Sequence, residues 1–325
     1  MLNPVGRARD VAARFTEAAR RPARNSHLNI HDSIHLFILG PDYHLGDLLW
    51  LTTVIRALRD RAQPSQVIVS LPDRAISRVL EENPLIDELR YGEPDTARKD
   101  ARTRFGNDLV VHDLRLFPLG FEMVRQWRRR VPWLYYRDLW LEPRGQWLAT
   151  YLGLGELRDG RPRLHLTEND RAVARELPRP YILFAPHVGE YSLPLVGTFW
   201  RRLKGWPMER WIALAEQLRA DGYETITLAA RGQSPVPGTE GLIGLPIRQV
   251  AGAIESAAAL VTVESGLWFI AAALHVPFLI VRWWLPRAVD WPRAMGAPNV
   301  RIFRDCDSVS HVLGRLNGLM DHGGS

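Results

Sequence analysis

Apolar residues recur along the chain in two alternating patterns: short continuous runs and longer stretches with helical spacing. The short runs are rich in β-branched residues and predict buried strands. In the first half, the predicted strands are 34–39, 66–71, 87–91 and 108–112, with helices at 47–59 and 75–82. Strands that alternate with helices are typical of a parallel sheet covered by helices on both faces.

The same alternation begins again at residue 181. The predicted strands there are 181–185, 224–229, 260–263, 278–282 and 300–303. The predicted helices are 208–220, 247–256, 266–274 and 308–320. Two such series in 325 residues predict an α/β protein with two Rossmann-like domains. Ligands of such domains bind at the carboxyl ends of the strands, so we expect a cleft between the two halves to hold the substrates.

Domain boundaries are predicted where the composition changes. The predicted parts are a basic extension (1–33), a first domain (34–165), a linker (166–180), a second domain (181–305) and a C-terminal helix (306–325). The linker is assigned because proline, arginine and acidic residues crowd that stretch. The arginine-rich extension either touches an anionic membrane surface or forms a solvated terminal helix.

Composition restricts the classes of binding partner and the cellular compartment that we expect for this protein. Apolar residues make up 46% of the chain, which is ample for a folded core, and the formal net charge of +6 favours acidic partners. No recognition motif for nucleic acid accompanies that charge, so nucleic acid is not expected as a partner. The only cysteine, Cys306, excludes an internal disulfide and a cysteine-based zinc site. A cytoplasmic protein is expected, with peripheral contact at the inner face of the membrane left open.

One predicted strand passes directly into a helix through Glu264-Ser265-Gly266. Backbone N–H groups and the positive end of a helix dipole meet at such a turn, which is typical of a phosphate site. Gly266 allows close approach of the backbone, Ser265 can cap the helix or donate to an oxygen, and Leu267 begins the helix. An ordinary buried turn between a strand and a helix is the alternative.

Five segments in order carry a resemblance to a known family. They are Gly46-Asp47 with the helix to residue 53, Glu82-Asn83-Pro84 with Asp87, the strand 107–113, Lys204-Gly205-Trp206-Pro207, and Glu264-Ser265-Gly266 with the alanines 271–273. Together they resemble glycosyltransferase family 9, the ADP-heptose:lipopolysaccharide heptosyltransferases and their relatives. The resemblance implies the GT-B fold of two Rossmann-like domains facing a cleft.

The same resemblance implies the reaction. It is the transfer of a sugar, with inversion, from a nucleotide-diphosphate sugar to a hydroxyl of a glycan or small-molecule acceptor. The acceptor is either a lipopolysaccharide core or a secondary metabolite such as an antibiotic. No cofactor and no metal ion are implied, and an ADP-sugar is the favoured co-substrate.

The resemblance also implies roles for the polar residues. Asp47 is the expected base for the acceptor hydroxyl, with a helix N-cap as the structural alternative. Gly46 beside it is expected to bind the donor, as are Ser265, Gly266 and Leu267. Lys204 is the expected cation for the departing diphosphate, with a solvated surface lysine as the alternative. Lys99 and Lys204 are the only lysines among 42 lysines and arginines, so a lysine at this position is notable. Glu264 is expected to accept from a sugar or ribose hydroxyl, or else to pair with a buried arginine.

Three positions depart from the family pattern. Glu264 stands where the family has aspartate, Phe269 where it has histidine, and Pro186-His187 where it has Pro-Gly. These changes favour a donor other than ADP-heptose. They also leave open a non-catalytic relative that acts as a binding subunit.

Acceptor and nucleobase contacts are predicted from composition. Tryptophans and arginines crowd residues 117–147, and aromatic rings bind sugar faces while arginines bind phosphates. We therefore assign Arg128 and Arg129, together with His44, to the acceptor, although the tryptophan spacing also fits a buried helix face. The nucleobase is expected near residues 229–233 and 245–250.

Overall fold

The computed structural model describes residues 35–39, 45–113, 154, 156–157, 160–187, 204–281, 300–302 and 308–320. The chain divides into two compact units. The first comprises Met1–Asp73 and Pro84–Gly160, and the second comprises Arg74–Asn83 and Arg161–Ser325. The short segment Arg74–Asn83 therefore belongs to the second unit, although it lies in the first half of the sequence.

A four-stranded parallel sheet forms the first unit, in the order β3-β2-β1-β4. Its strands are β1 (His35–Leu39), β2 (Gln66–Leu71), β3 (Glu88–Tyr91) and β4 (Leu109–Asp113). Its helices are α1 (Leu45–Ala62) and α2 (Pro94–Phe105). Most of α1 and β2 is buried, which is why both read as apolar runs.

A six-stranded parallel sheet forms the second unit, in the order β10-β9-β8-β5-β6-β7. Its strands are β5 (Tyr181–Ala185), β6 (Glu224–Ala229), β7 (Glu240–Ile243), β8 (Ala259–Thr262), β9 (Phe278–Ile280) and β10 (Val300–Ile302). Its helices are α3 (Glu168–Arg175), α4 (Met208–Ala220), α5 (Ile247–Glu255), α6 (Leu267–Ala273) and α7 (Val309–Met320). The core of this unit joins β5 and β8 to α4 and α7.

Both sheets have the Rossmann strand order. The first strand lies in the middle, the chain moves out to one edge, and it then returns to the other side of the first strand. The order reverses between β1 and β4 in the first unit and between β5 and β8 in the second. Ligands of such sheets bind beside the carboxyl ends of the strands at this reversal. The predicted α/β class with two Rossmann-like units is confirmed.

The predicted elements differ from the observed ones where tertiary contacts decide. Residues 75–82, predicted as a helix, form a 3-10 segment at Ala75–Leu80. Helix α2 and strand β7 were not predicted. Only a narrow stripe of α2 touches apolar residues of the sheet, and β7 is an edge strand with partly exposed residues. Residues 166–180, interpreted as a linker, contain α3, because Thr167 and Asp170 form a capping box and α3 packs on α5.

A buried arginine, Arg248, forms hydrogen bonds with several segments of the second unit. The Arg248 guanidinium donates Nε to Asp170 Oδ1 at 3.0 Å and Nη2 to the other carboxylate oxygen of Asp170. The same Nη2 also donates to the carbonyl of His165 at 2.8 Å, and Nη1 donates to the carbonyl of Glu81. Arg248 therefore ties α5 to α3 and to both chain segments that precede the second sheet.

The aspartate of the Glu-Asn-Pro segment has a structural role in the first unit. The Asp87 carboxylate accepts a hydrogen bond from the backbone N–H of Val67 at 2.6 Å and pairs with Arg59. The Arg59 Nε also donates to the carbonyl of Leu85 at 3.1 Å. These contacts join the end of α1 to the starts of β2 and β3.

Replacing Gly252 with alanine should destabilise the second unit by about 1–3 kcal/mol. A Cβ atom on Gly252 would lie 2.0 Å from the backbone oxygen of Asp170 and 3.1 Å from the Cα of Arg171, so α5 and α3 would have to separate. Gly314 in α7 is the matched control, because a Cβ atom there meets nothing within 4 Å. Gly314→Ala should stabilise the chain by about 0.5–1 kcal/mol, since alanine is the better helix former. Urea unfolding of the two variants tests whether the effects have opposite signs.

Candidate functional site

The carboxyl ends of β5 and β8 lie side by side at the reversal in the second sheet. Ala185 pairs with Thr262, and the N–H of Val263 donates to the carbonyl of Ala185 at 3.3 Å. The chain then continues from β5 into Pro186-His187 and from β8 into Glu264-Ser265. Two of the segments singled out in the sequence therefore meet at the edge where ligands of such sheets bind.

Lys204 and Glu264 form an ion pair at this edge, between the Nζ and Oε2 atoms. Lys204 is 9% exposed, so it is not the solvated surface lysine considered as an alternative. Glu264, for which a sugar hydroxyl or a buried arginine was expected, pairs with this lysine. The structure thus brings together two of the predicted donor residues.

Aromatic packing positions the lysine. Trp206, two residues after Lys204, meets Trp211 of α4 edge to face with ring centroids 5.2 Å apart. Trp211 in turn packs on Phe184 of β5 at 5.1 Å. The lysine is therefore held beside the sheet by a buried aromatic cluster rather than by a mobile surface loop.

Ser265, Gly266 and Leu267 form the turn into α6. The Ser265 hydroxyl shares a hydrogen bond with the Thr262 hydroxyl at 3.0 Å and accepts the N–H of Leu267 at 3.4 Å. Gly266 has helical backbone angles, φ −64° and ψ −19°. Because α6 has only seven residues, its dipole is a smaller source of positive potential than Lys204.

Phe269, which stands where the family has histidine, belongs to the aromatic core. It is 6% exposed and stacks on Trp268 with ring centroids 3.6 Å apart. Trp268 also lies 5.9 Å from the ring of Phe278 in β9. An apolar ring buried in this way offers no polar contact to a donor sugar.

His187 is a residue of this edge that the sequence reasoning did not assign. Its Nε2 lies 2.8 Å from the carbonyl oxygen of Ser234. A carbonyl only accepts, so Nε2 carries the hydrogen and donates it. The contact joins the segment after β5 to the loop after β6. The replacement of Pro-Gly by Pro186-His187 was the signal that could have found it.

The loop after β6, where the nucleobase was expected, is internally hydrogen-bonded. The N–H of Ala230 donates to the Gln233 side chain at 2.9 Å, and the N–H of Gln233 donates to the carbonyl of Ala230 at 3.0 Å. The Arg231 side chain lies over Gly244, whose φ of +68° marks the turn after β7. Arg248, within the other expected stretch, is held in the buried ion pair with Asp170.

Asp47 lies in the first turn of α1 in the first unit. The helix begins at Leu45, two residues earlier than predicted, so Asp47 is inside the helix and is not its N-cap. Asp47 is 7% exposed, and Gly46 beside it is also buried. A carboxylate in a first helical turn is favoured by the helix dipole.

Other expectations concern residues outside the described ranges. His44, Arg128 and Arg129, assigned to the acceptor, lie there, as does the basic extension 1–33. In the described part of the chain, no three His, Cys, Asp or Glu side chains converge as metal ligands would. No helix of the described ranges is long and apolar enough to cross a bilayer. The acceptor site, metal independence and cellular location stay predictions.

Comparison with known proteins identifies the fold. No protein-family profile matches the sequence, and no curated protein matches it. A family 9 glycosyltransferase from Veillonella parvula aligns with 90% of this chain and 98% of its own, at 16% identity and a TM-score of 0.65. The chain has the fold of the family 9 glycosyltransferases.

Two further structures of this fold agree. The E. coli ADP-heptose lipopolysaccharide heptosyltransferase II aligns over 90% of this chain and 100% of its own, at 19% identity and a TM-score of 0.63. The E. coli heptosyltransferase WaaC, solved with ADP-2-deoxy-2-fluoro heptose, aligns over 90% and 100%, at 13% identity and a TM-score of 0.55. At these identities the similarity establishes the fold, and the resemblance seen in the sequence is confirmed at that level.

Proposed function

We propose that this protein is an inverting, metal-independent glycosyltransferase that moves a sugar from a nucleotide-diphosphate sugar to a hydroxyl of a glycan or secondary metabolite. The observation that carries the proposal is Lys204, held beside Glu264 at the strand reversal of a Rossmann-type sheet. A heptosyltransferase of the same fold was solved with ADP, which makes an ADP-sugar the first donor to test.

In this proposal the second unit binds the donor. The Lys204 ammonium, the Ser265 hydroxyl and the backbone N–H groups of Gly266 and Leu267 contact the diphosphate. Charge builds up on the diphosphate as its bond to the sugar breaks. A cation that is already positioned in a water-poor site stabilises that charge more in the transition state than in the bound substrate.

Asp47 of the first unit is the proposed base. Its carboxylate takes the proton of the acceptor hydroxyl while the hydroxyl oxygen bonds to the anomeric carbon. The bond from that carbon to the diphosphate breaks on the opposite face, so the configuration inverts. The nucleotide diphosphate leaves with the bonding electrons, and His44, Arg128 and Arg129 are proposed to hold the acceptor.

Replacing Lys204 with methionine should abolish stabilisation by nucleotide diphosphates. A ligand that binds only the folded chain raises the melting temperature, by about 5 °C at a hundred times its dissociation constant. The wild type and variant are melted with ADP, UDP, GDP and dTDP in the presence of a chelator. One diphosphate should shift the wild type and leave Lys204→Met unshifted, and its base identifies the class of donor.

Lys99→Met is the matched control, because Lys99 is the chain's other lysine and is exposed on α2. It should keep the full shift. An equal shift in Lys204→Met would remove Lys204 from the donor site. No shift of the wild type with any of the four diphosphates would count against the proposed function.

A non-catalytic binding subunit is the second candidate. It is favoured by the buried stack of Phe269 on Trp268, which leaves an apolar ring where the family has a polar one. Such a subunit would have a decayed donor site and no turnover, so Asp47→Ala would leave the binding of its partner unchanged. An active transferase would lose its turnover.

A further inference from the structure

We propose that Glu264 is the counter-ion of Lys204 in the ligand-free protein, that the donor diphosphate displaces it, and that it recovers the lysine when the nucleotide product leaves. This inference rests on the proposed function and deepens it. It makes Glu264 a positioning residue that acts through Lys204, in place of a residue that binds a sugar hydroxyl.

The first argument is burial. The side chains of Lys204 and Glu264 are only 11% and 13% exposed, and they are paired with each other. An ammonium group that has lost most of its water is costly unless an opposite charge replaces that water. Glu264 supplies this charge while no diphosphate is bound, which keeps Lys204 in place.

The second argument is position. Glu264 immediately precedes Ser265 and Gly266, the residues proposed to contact the diphosphate. A diphosphate on that turn and the Glu264 carboxylate would therefore approach the same ammonium group. Two anions at a separation of a few ångströms repel each other, most strongly where water is scarce. The lysine has three donors on a flexible stem, so it can turn from one anion to the other.

The third argument concerns the product. When the sugar leaves, the diphosphate gains negative charge, so Lys204 holds the product more strongly than the substrate. A cation that stabilises the transition state would therefore, by itself, slow the release of the product. A carboxylate that competes for the same cation offsets this effect, because it becomes the partner of Lys204 again as the product departs.

Glu264→Gln tests the inference, because glutamine keeps the shape and removes the charge. The variant should bind the nucleotide diphosphate about tenfold more tightly, which is about 1.4 kcal/mol. It should also release it more slowly, lowering both kcat and the donor KM. Calorimetry with ADP, UDP, GDP, dTDP and inorganic pyrophosphate measures the affinity. Damage to the fold would weaken binding, so tighter binding is not a structural artefact.

Two controls separate charge from shape and from overall electrostatics. Glu264→Asp keeps the charge and should retain the affinity of the wild type within about threefold, since the carboxylate can still reach the lysine. Glu216→Gln removes the same charge from an exposed position on α4 and should leave the affinity unchanged.

The outcomes distinguish this inference from the proposed function. If the wild type binds a diphosphate and Glu264→Gln binds it equally or less well, Glu264 merely orients Lys204 and the inference is overturned alone. Tightening that Glu264→Asp shares would overturn it as well, because charge would not be the cause. If neither the wild type nor Glu264→Gln binds any probe, the proposed function and the inference fail together.

Discussion

Replacing Asp47 with asparagine should lower the turnover of sugar transfer by roughly 10²- to 10⁴-fold, the usual contribution of a general base. Asparagine has nearly the same shape as aspartate but cannot take the proton of an acceptor hydroxyl. Binding of the nucleotide diphosphate should be unchanged, because Lys204, Ser265 and the other residues proposed to contact the diphosphate belong to the second unit. The measurement is a steady-state rate with saturating donor and acceptor, alongside a calorimetric titration with ADP.

The control for this variant lies in the same helix. Asp60 is exposed in the last turn of α1, and Asp60→Asn removes the same charge without touching the first turn. It should keep the full rate. Melting curves of both variants establish that each is folded. Retention of more than a tenth of the rate by Asp47→Asn would show that another group takes the proton.

Replacing Arg248 with methionine should destabilise the second unit by about 3–5 kcal/mol. The substitution leaves the Asp170 carboxylate buried without its main cation, and it removes a donor from the carbonyls of Glu81 and His165. Urea unfolding followed by tryptophan fluorescence measures the loss. Adding Asp170→Asn to Arg248→Met should recover part of it, because the uncompensated charge is then gone.

The ion pair of Arg248 with Asp170 should also make the free energy of unfolding depend on pH. Burial raises the pKa of Asp170, but hydrogen bonds from Arg248 and Thr167 outweigh it and hold that pKa below its ordinary 3.8. The folded chain therefore binds fewer protons at this group than the unfolded chain does between the two pKa values, and stability rises with pH there. The contribution of the pair is complete above the ordinary value and is lost as the pH falls through the folded one. The difference between wild type and Arg248→Met should thus be largest near neutral pH and shrink in acid.

An exposed ion pair on α3, the helix that contains Asp170, is a reference for the predicted loss of stability in Arg248→Met. Arg175 pairs with Glu168 on α3, and both side chains are mostly in water. Arg175→Met should cost less than about 1 kcal/mol, because water and salt screen exposed pairs. If Arg248→Met cost no more than Arg175→Met, the buried network would not hold the segments of the second unit together.

The strands were predictable because both faces of a parallel sheet are covered. Such strands read as continuous apolar runs, and residues 66–71, 181–185 and 224–229 were predicted with the observed bounds. Helix α4 was found for a related reason, since a broad apolar face repeats through residues 208–220. Helix α3 was not predicted, because five of its eight residues are polar or charged and its stability comes from the cap and from α5.

The donor residues were predictable one by one, but their relation was not. The sequence singled out Lys204 by the rarity of lysine and Glu264 by its place before a Ser-Gly turn. Their pairing across about 60 positions depends on how α4 packs on β5, which no local pattern encodes. His187 was missed for the same reason, because its partner Ser234 follows a different strand.

By itself the sequence determined the two α/β series, the Rossmann-type order that follows from them and the residues with suitable chemistry. These depend on periodicity and on short-range turn preferences, which are local properties of the chain. Tertiary structure alone decided that Glu264 pairs with Lys204, that Phe269 is part of an aromatic core and that Arg248 forms a buried ion pair with Asp170. Burial and charge pairing arise from residues far apart in sequence, so their energies exist only once the sheet has assembled.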